Sequence, residues 1–426
     1  MPPAPLVRAV VVNYEGGDLT LACLRGLRAT EWPTDRLDVV LVDNASRDGV
    51  ADAVERELPE VRVIRGTKNL GFAGGCNLGL ADLGGTAYVA FVNNDATVDP
   101  GWLRPLVDAL EADPSLGAAC PKILLAGRFR DLSLRSPTVR HDGRDVGVMV
   151  SGVRVDGVEV WSRTQLVEGF WGLEPDGSGQ WTTASARLWL PEGNEAALQL
   201  SAVRPVNATA SCGPDLIELS IGRTPMWHTI PLAGPVVDVI NNVGSVLTDD
   251  KHGADRGYLE PDDGRFDTPE DVFAWCGAAV VLRRDYVDDV GPMDQRLFVY
   301  YEDLEHSWRG RARGWRYRYV PASIVHHVHA ATTVEGSPLK LHYEERNRLL
   351  VLTRHAASRD AWRAVLRHPL ITGSYARRDI VRRIMRARRP RGALVGRRLR
   401  AFGAFLVRAP AMLRSRRRDR KQPTRS

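Results

Sequence analysis

The chain has 426 residues, of which 44% are hydrophobic and 26% charged, so it is globular and long enough for two or more packed units rather than disordered. Its five cysteines (Cys23, Cys76, Cys120, Cys212, Cys276) are scattered without a CxxC pair, which argues against a zinc site and a disulfide scaffold and suits a reducing compartment. The net charge of +6 conceals an asymmetry: from Arg377 to Ser426 nineteen Lys and Arg stand against Asp379 and Asp419, a net of +17, which leaves −11 on the rest. The start, MPPAPLVRAVVVNY, lacks a long apolar stretch, and no run of about 18 apolar residues occurs, so neither a signal peptide nor a membrane-spanning helix is expected.

In chain order, Val7 to Val12 is a β-branched run ending at Asn13 and Tyr14, and Asp18 is placed to cap a helix carrying Leu21, Leu24 and Leu27. Val39 to Val42 is a second buried run, ending at Asp43 and Asn44. A helix over Val50 to Leu58 and a strand over Val61 to Ile64 follow. The segment NLGFAGGCNLGL, with Asn69, Gly71, Gly75 and Asn77, has the glycines to bring backbone close to a nucleotide. It matches neither a dinucleotide fingerprint nor a Walker loop. Tyr88 to Val92 reads as a core strand that stops at Asn93, Asn94 and Asp95, and Trp102 to Leu110 as a helix. Strands alternating with helices predict a parallel sheet with ligands at the strand carboxyl ends. Asp95 has two readings there, an ordinary turn acid or a ligand for a hard divalent cation and the diphosphate it bridges.

Between about 126 and 240 the pattern changes to period-two alternation, in VGVMVSGVRVDGVEVW, ARLWLPE and LIELSIG, which predicts an antiparallel β sandwich or barrel. Trp161, Trp171, Trp181, Trp189 and Trp227 fall here, as core or as platforms for sugar rings. From 241 to 355 mixed α/β character returns. FAWCGAAVVLRRDYV reads as a buried strand, and Glu302 and Asp303 open a helix, where they either favour the helix dipole or supply a general base. A strand then leads to His326, His327 and His329, any one of which is a candidate metal ligand. The expected organisation is 1–125 and 241–355 as two halves of one catalytic unit, 126–240 as an inserted β module and 356–426 as a basic amphipathic tail.

Eight blocks in order resemble the inverting family-2 glycosyltransferases, especially the bacterial branch that includes rhamnosyltransferases: VVVNYE, VVLVDNASRDG, NLGFAGGCNLGL, VAFVNNDATVDP, WCGAAVVLRRD, GPMDQRLFVYYEDLEHSWR, VPASIVHHVHAATT and YEERNRLL. The resemblance covers a little over half the chain and implies a GT-A-type nucleotide-binding domain. It implies that Asn13, Tyr14, Asp43, Asn69, Gly71, Gly75, Asn77, Asn93 and Asn94 line the nucleotide-sugar site. Asp95, with Asn93 beside it, stands in the DxD position for Mg²⁺ or Mn²⁺, and His327 completes the metal site, with His326 and His329 as alternative registers. Asp303 is the base, Glu302 lies beside it, and Arg309 holds the acid pair or a phosphate. The chain departs from the pattern where EDLEH replaces the usual ED-x-D-L, with Glu305 preserving charge and His306 standing where an apolar residue is usual.

The implied reaction is one in-line displacement, giving inversion at the anomeric carbon. A nucleotide sugar is the donor, dTDP-rhamnose first and UDP-galactofuranose or another hexose next. A glycan or polyprenyl-linked glycan is the acceptor, in cell-envelope polysaccharide synthesis. The tail, in which Leu394, Leu399, Phe402, Phe405, Leu406, Met412 and Leu413 interleave with arginines, suits either a peripheral membrane contact or a packed terminal helix with a solvated basic face. The expected place of work is the cytoplasm, at the inner face of the plasma membrane. No nucleic-acid partner is expected, since no base-reading module accompanies the charge. The rival readings are a non-catalytic glycan-binding protein that uses the β module and a nucleotidyltransferase, for which VVVNYEGGD lacks a basic phosphate-binding residue.

Overall fold

A computed structural model of the chain describes residues 3–174, 177–328, 337–385, 387 and 389–421. The chain divides into two compact units, one of Met1–Leu124, Asn242–Gly257 and Gly264–Ser426, the other of Leu125–Asn241 and Tyr258–Asp263.

The first unit begins with β1 (Val7–Asn13), α1 (Gly17–Arg28), β2 (Leu37–Asp43), α2 (Val50–Glu57), β3 (Arg62–Arg65), α3 (Gly71–Gly79), β4 (Tyr88–Val92), β5 (Ala96–Val98), α4 (Leu103–Ala112) and β6 (Leu116–Leu125). Strands β1, β2, β3 and β4 pair in parallel. Both β1 and β4 are buried throughout, which is why they read as continuous apolar runs rather than alternating ones. Helix α1 turns Thr20, Cys23, Leu24 and Leu27 inward at three- and four-residue spacing; Asp18 lies in its first turn, and no side chain caps its start.

The second unit contains β7 (Phe129–Arg135), β8 (Val139–His141), β9 (Arg144–Val146), β10 (Val148–Val155), β11 (Val158–Glu159), β12 (Gln165–Phe170), β13 (Gln180–Pro191), β14 (Glu195–Ala202), β15 (Val206–Ser211), β16 (Leu216–Ile221) and β17 (Met226–Pro231). Its main sheet runs β16-β15-β7-β13-β10-β14-β17, antiparallel throughout, with β13 joined to β10 by a short pairing at Met149 and Val150. The alternating residues Val148, Val150, Val153, Leu188, Leu190, Leu198 and Leu200 fill one apolar core within it. Trp181 and Trp189 are buried, and Trp227 lies under the guanidinium of Arg154 at 4.2 Å. Trp181 and Trp189 are therefore core, while Trp227 is exposed and Trp161 and Trp171 are partly buried.

The chain returns through β18 (Ile240–Asn242), β19 (Ser245–Leu247), β20 (Gly253–Asp255), β21 (Glu270–Val272), β22 (Ala279–Arg283), α5 (Arg284–Val290), α6 (Glu302–Arg311) and β23 (Arg316–His327). It closes with α7 (Pro338–His355), α8 (Ser358–Ala376), α9 (Arg382–Met385) and α10 (Ala393–Asp419). The first unit's sheet has the order β21-β23-β6-β22-β4-β1-β2-β3. It is mixed rather than wholly parallel as expected, because β22 runs antiparallel to β4 with Ala279 opposite Val92. That reversal places the start of β22 beside the end of β4, where the Asn93 N–H donates to the Ala278 carbonyl at 2.9 Å. In the tail, α10 turns Val395, Ala401, Phe405 and Met412 inward; Phe405 and Met412 share a core with Leu349, Leu350 and Val351 of α7, so these two residues are not a membrane-facing surface.

Candidate functional site

The carboxyl ends of β1, β2 and β4 lie together, with Asn13 in register with Asp43. Asn13 is fully buried, and its side chain is a hub: its Oδ1 accepts from Thr20 Oγ1 at 2.8 Å, from the Gly16 N–H at 3.1 Å and from Asn94 Nδ2 at 3.3 Å, while its Nδ2 donates to Asp48. Asn13 and Asn94 thus brace the strand ends. Tyr14 stands largely exposed at the same edge.

Beside them a cavity of about 180 Å³ is lined by Asp43, Ser46, Arg47, Asp48, Gly49, Ala51, Asp52 and Arg65. Burial raises the Asp43 carboxyl above the usual carboxylate range against the Ser46 N–H, with the neighbouring Asp48 charge adding to the rise. Burial acts in the same sense on Asp48, yet the Gly17 N–H, the Ser46 hydroxyl, the Val50 N–H and the Asn13 amide hold it below that range. The result is two unlike carboxyl groups, one shifted up and one shifted down, at the wall of a polar pocket. Ser46 and Asp48 were missed from sequence; the short polar side chains of DNASRDG were the available signal.

The glycine-rich segment is helix α3, not a loop. Gly75 and Gly79 bring it against β1, since a Cβ there would lie 2.5 Å from Val12 Cγ1 and 2.3 Å from Val10 Cγ1. Asn69 accepts from the Gly71 N–H and from Asn44, and Asn77 clamps both backbone groups of Met293. These glycines and amides position the helix.

Asp95 follows β4. The short pairing of β5 with β23 sets Ala96 opposite His327, and His327 Nε2 lies 3.0 Å from Asp95 Oδ1, both residues buried. His326 instead sits 3.2 Å from Asp99. His329 lies outside the described residues. Among the described residues no group of three or more His, Cys, Asp or Glu converges on one point. One carboxylate and one imidazole are nonetheless donors of the kind that could hold a divalent cation, with its other ligands supplied from outside the protein.

Glu302 and Asp303 open α6. Asp303 Oδ2 accepts from the Gly277 N–H at 3.0 Å and Oδ1 from the Leu304 N–H at 2.7 Å. Gly277 directly precedes Ala278, whose carbonyl holds Asn93, so the antiparallel β22 links the Asp95 end of β4 to Asp303. Burial lifts the Asp303 carboxyl to about 6 against those two N–H groups, with the Asp255 charge adding to the rise. Glu302 is more deeply buried and is pushed well above the carboxylate range by desolvation and by the Asp303 charge; its Oε2 is buried with no hydrogen-bond partner. The two titrate as a coupled pair, both raised by burial, with Glu302 raised further by the Asp303 charge.

Three non-glycine residues before α6 have left-handed backbone, Phe298 (φ 70°), Tyr300 (φ 65°) and Tyr301 (φ 71°). Asn347 of α7 holds this turn, its Nδ2 lying 2.7–2.9 Å from the carbonyl oxygens of Leu297, Val299 and Tyr300. Arg309 does not reach the acid pair or an open phosphate site. It donates to the Val290 and Pro292 carbonyls and to Glu305. Glu305 is fully buried, with Arg354 at 2.8 Å and His355 at 2.9 Å, so it ties α6 to the last turn of α7. His306 accepts from the Tyr286 hydroxyl at 2.7 Å and donates to the Gly291 carbonyl at 2.9 Å, and burial lowers it to about 3, so it is a neutral core residue.

The sequence profile described as Glycosyl transferase family 2 matches residues 9–144. The N-acetylglucosaminyl-diphospho-decaprenol L-rhamnosyltransferase of two Mycobacterium tuberculosis strains is 26% identical over 399 residues, covering 90% of this chain and 95% of that protein. Among solved structures, GalNAc-T7 with UDP, GalNAc and Mn²⁺ matches 83% of the chain at 13% identity and TM-score 0.47; the match spans about half of that protein, 48%. The Pyrobaculum calidifontis mannosyltransferase with GDP-Man and Mn²⁺ matches 98% of the chain and 76% of its own length at 14% identity and TM-score 0.39. Residues 9–144 thus carry the family-2 glycosyltransferase profile, and the chain is similar over most of its length to a rhamnosyltransferase.

Proposed function

We propose that this protein is an inverting transferase that moves a sugar, rhamnose as first choice, from a nucleoside diphosphate to a hydroxyl of a lipid-linked glycan in cell-envelope polysaccharide synthesis. The observation that carries the proposal is the placement of Asp303. It is a partly buried carboxylate with an elevated pKa, held by the Gly277 N–H just before the strand that also abuts the Asp95 end of β4. Such a group is ionised at neutral pH yet basic enough to take a proton from an attacking hydroxyl. The relative's name specifies rhamnose and a diphospho-decaprenol-linked N-acetylglucosamine, and its similarity along the chain supports the same classes of donor and acceptor here.

In this reading the cavity at Asp43 and Asp48 takes the nucleoside, with Tyr14 at its margin. Asp95 and His327 are the residues that would hold Mg²⁺ or Mn²⁺, which when bound supplies positive charge to a departing diphosphate. Asp303 holds the acceptor hydroxyl by hydrogen bond and removes its proton as the hydroxyl attacks the anomeric carbon; Glu302, protonated, keeps a second negative charge away from that position. Residues 1–125 carry the donor side, 241–355 the base and acceptor side, 126–240 an added β module, and 356–426 a helical platform at the cytoplasmic membrane face. The burial of Trp181 and Trp189 leaves the β unit fewer rings with which to bind glycans.

Calorimetric titration with a nucleoside diphosphate and Mn²⁺ tests the donor side. Asp95→Ala weakens binding by about tenfold or more, on the order of a lost charge-assisted metal contact of 1.4 kcal/mol or more. Unchanged affinity removes Asp95 from the role. Transfer to a diphospholipid-linked N-acetylglucosamine with inversion at the anomeric carbon tests the reaction, and retention of configuration contradicts it.

A further inference from the structure

Among the described residues, ten of the eighteen exposed large apolar side chains fall between Trp362 and Leu413. On α8 they are Trp362, Leu366 and Leu370, four residues apart and therefore on one face. On α10 they are Leu399, Leu406 and Leu413, seven apart, with Val407 beside them. Packing against the rest of the unit does not explain these side chains, since α8 and α10 already turn Ala361, Thr372, Phe405 and Met412 inward.

The charges on the same helices have one sign. From Ala357 to Lys421 every exposed charged side chain among the described residues is Arg or Lys. The acids of this stretch are not exposed and are paired: Asp360 with Arg359, Asp379 with Arg378 and Asp419 with Arg354. Residues 357–426 carry a net +19 and the rest of the chain a net −13, so a negative surface attracts this region and repels the rest.

At about 100° per residue, Arg363 and Arg367 fall on α8 just beside the stripe of Trp362, Leu366 and Leu370. These two arginines also line a cavity of about 470 Å³, together with Asp250, Tyr301, Arg348 and Arg398. Tyr301 directly precedes the Glu302–Asp303 pair. One helix thus presents, in angular order, an apolar stripe, a pair of cations and the wall of a polar cavity that reaches the start of the catalytic helix.

We propose that the exposed α8–α10 surface docks on an anionic lipid bilayer, with Trp362, Leu366 and Leu370 entering the acyl boundary and Arg363 and Arg367 at the level of the phosphates. A second copy of this chain would bring two like-charged faces together, and nucleic acid would leave the apolar stripe without a partner. A bilayer satisfies both the stripe and the charge. The docking rests on the surface itself. Its use, delivery of an acceptor head group through the cavity to Asp303, rests on the proposed transferase function.

The test is co-sedimentation of the full chain with phosphatidylcholine vesicles, with and without phosphatidylglycerol. Binding requires the anionic lipid and falls with salt. Trp362→Glu combined with Leu366→Glu lowers vesicle affinity by about tenfold or more, while thermal stabilisation by nucleoside diphosphate stays as in the parent. Trp227→Glu, on the β unit, leaves vesicle binding unchanged. A double variant that binds as the parent does overturns the proposal. So does binding to duplex DNA that matches vesicle binding and ignores the two substitutions, or a parent that dimerises through these residues and ignores vesicles. Vesicle binding without transfer to any lipid-linked acceptor upholds the docking face and overturns only the transferase reading.

Discussion

At the scale of single residues, the acids of the site divide by what surrounds them. Asp303 is partly buried with an elevated pKa, Glu302 is more deeply buried and pushed well above the carboxylate range, and Glu305, two positions on, is buried and held well below that range against its burial cost by Arg309, His355 and Arg354. In sequence the three are one acidic cluster at a helix start, and only long-range partners separate a base from a structural anchor. Asp43, Asp95 and Asp303 were legible because each ends or begins a strongly patterned element. The role of Glu305 was not, since Arg354 and His355 lie some fifty positions away. Glu305→Gln removes the charge opposing an Arg354 that is 2% exposed at its side chain. It destabilises the protein by about 3–5 kcal/mol, the cost of breaking a buried ion pair from one side. Denaturant unfolding checks this; a loss under about 1 kcal/mol would show that Asp294 and Asp419 suffice for Arg354.

At the scale of elements, the α/β alternation, the antiparallel second unit and the terminal helices were readable because hydrophobic period distinguishes them. The direction of β22 was not, because period carries no sign of direction, and that reversal joins the two halves of the site. The glycines of NLGFAGGCNLGL also let a helix pack closely on β1, a contact that local pattern does not show. The turn into α6 holds three left-handed non-glycine residues, a conformation costing about 1–3 kcal/mol each unless the surroundings enforce it. Asn347 provides that enforcement from α7, so it acts as a positioning residue. Asn347→Leu, similar in size but unable to donate, leaves these carbonyls short of a partner and costs about 2–4 kcal/mol of stability. With the turn relaxed, kcat falls while donor affinity is retained. Equal loss of donor binding and turnover would assign Asn347 a purely structural role.

At the scale of the whole molecule, an acidic body and basic terminal helices share one chain, as the charge count of the sequence already indicated. The structure adds which apolar residues of the tail are core and which are surface, a distinction no amphipathic pattern makes when both faces carry leucine. No helix among the described residues is long and apolar enough to cross a membrane. The account rests on the donor edge and the base being parts of one unit, linked through Gly277 and β22 but chemically separable. The direct test is Asp303→Asn, assayed in parallel for nucleoside diphosphate binding and for sugar transfer, beside the pH profile of the parent. Parent kcat/KM rises with pH through about 6 and then levels, because the ionised form of Asp303 is the active one. The variant binds donor as the parent does and loses transfer by about a thousandfold or more, within the range expected for removing a general base. A variant that transfers sugar at near-parental rate, or that keeps the same pH limb, contradicts the assignment of Asp303.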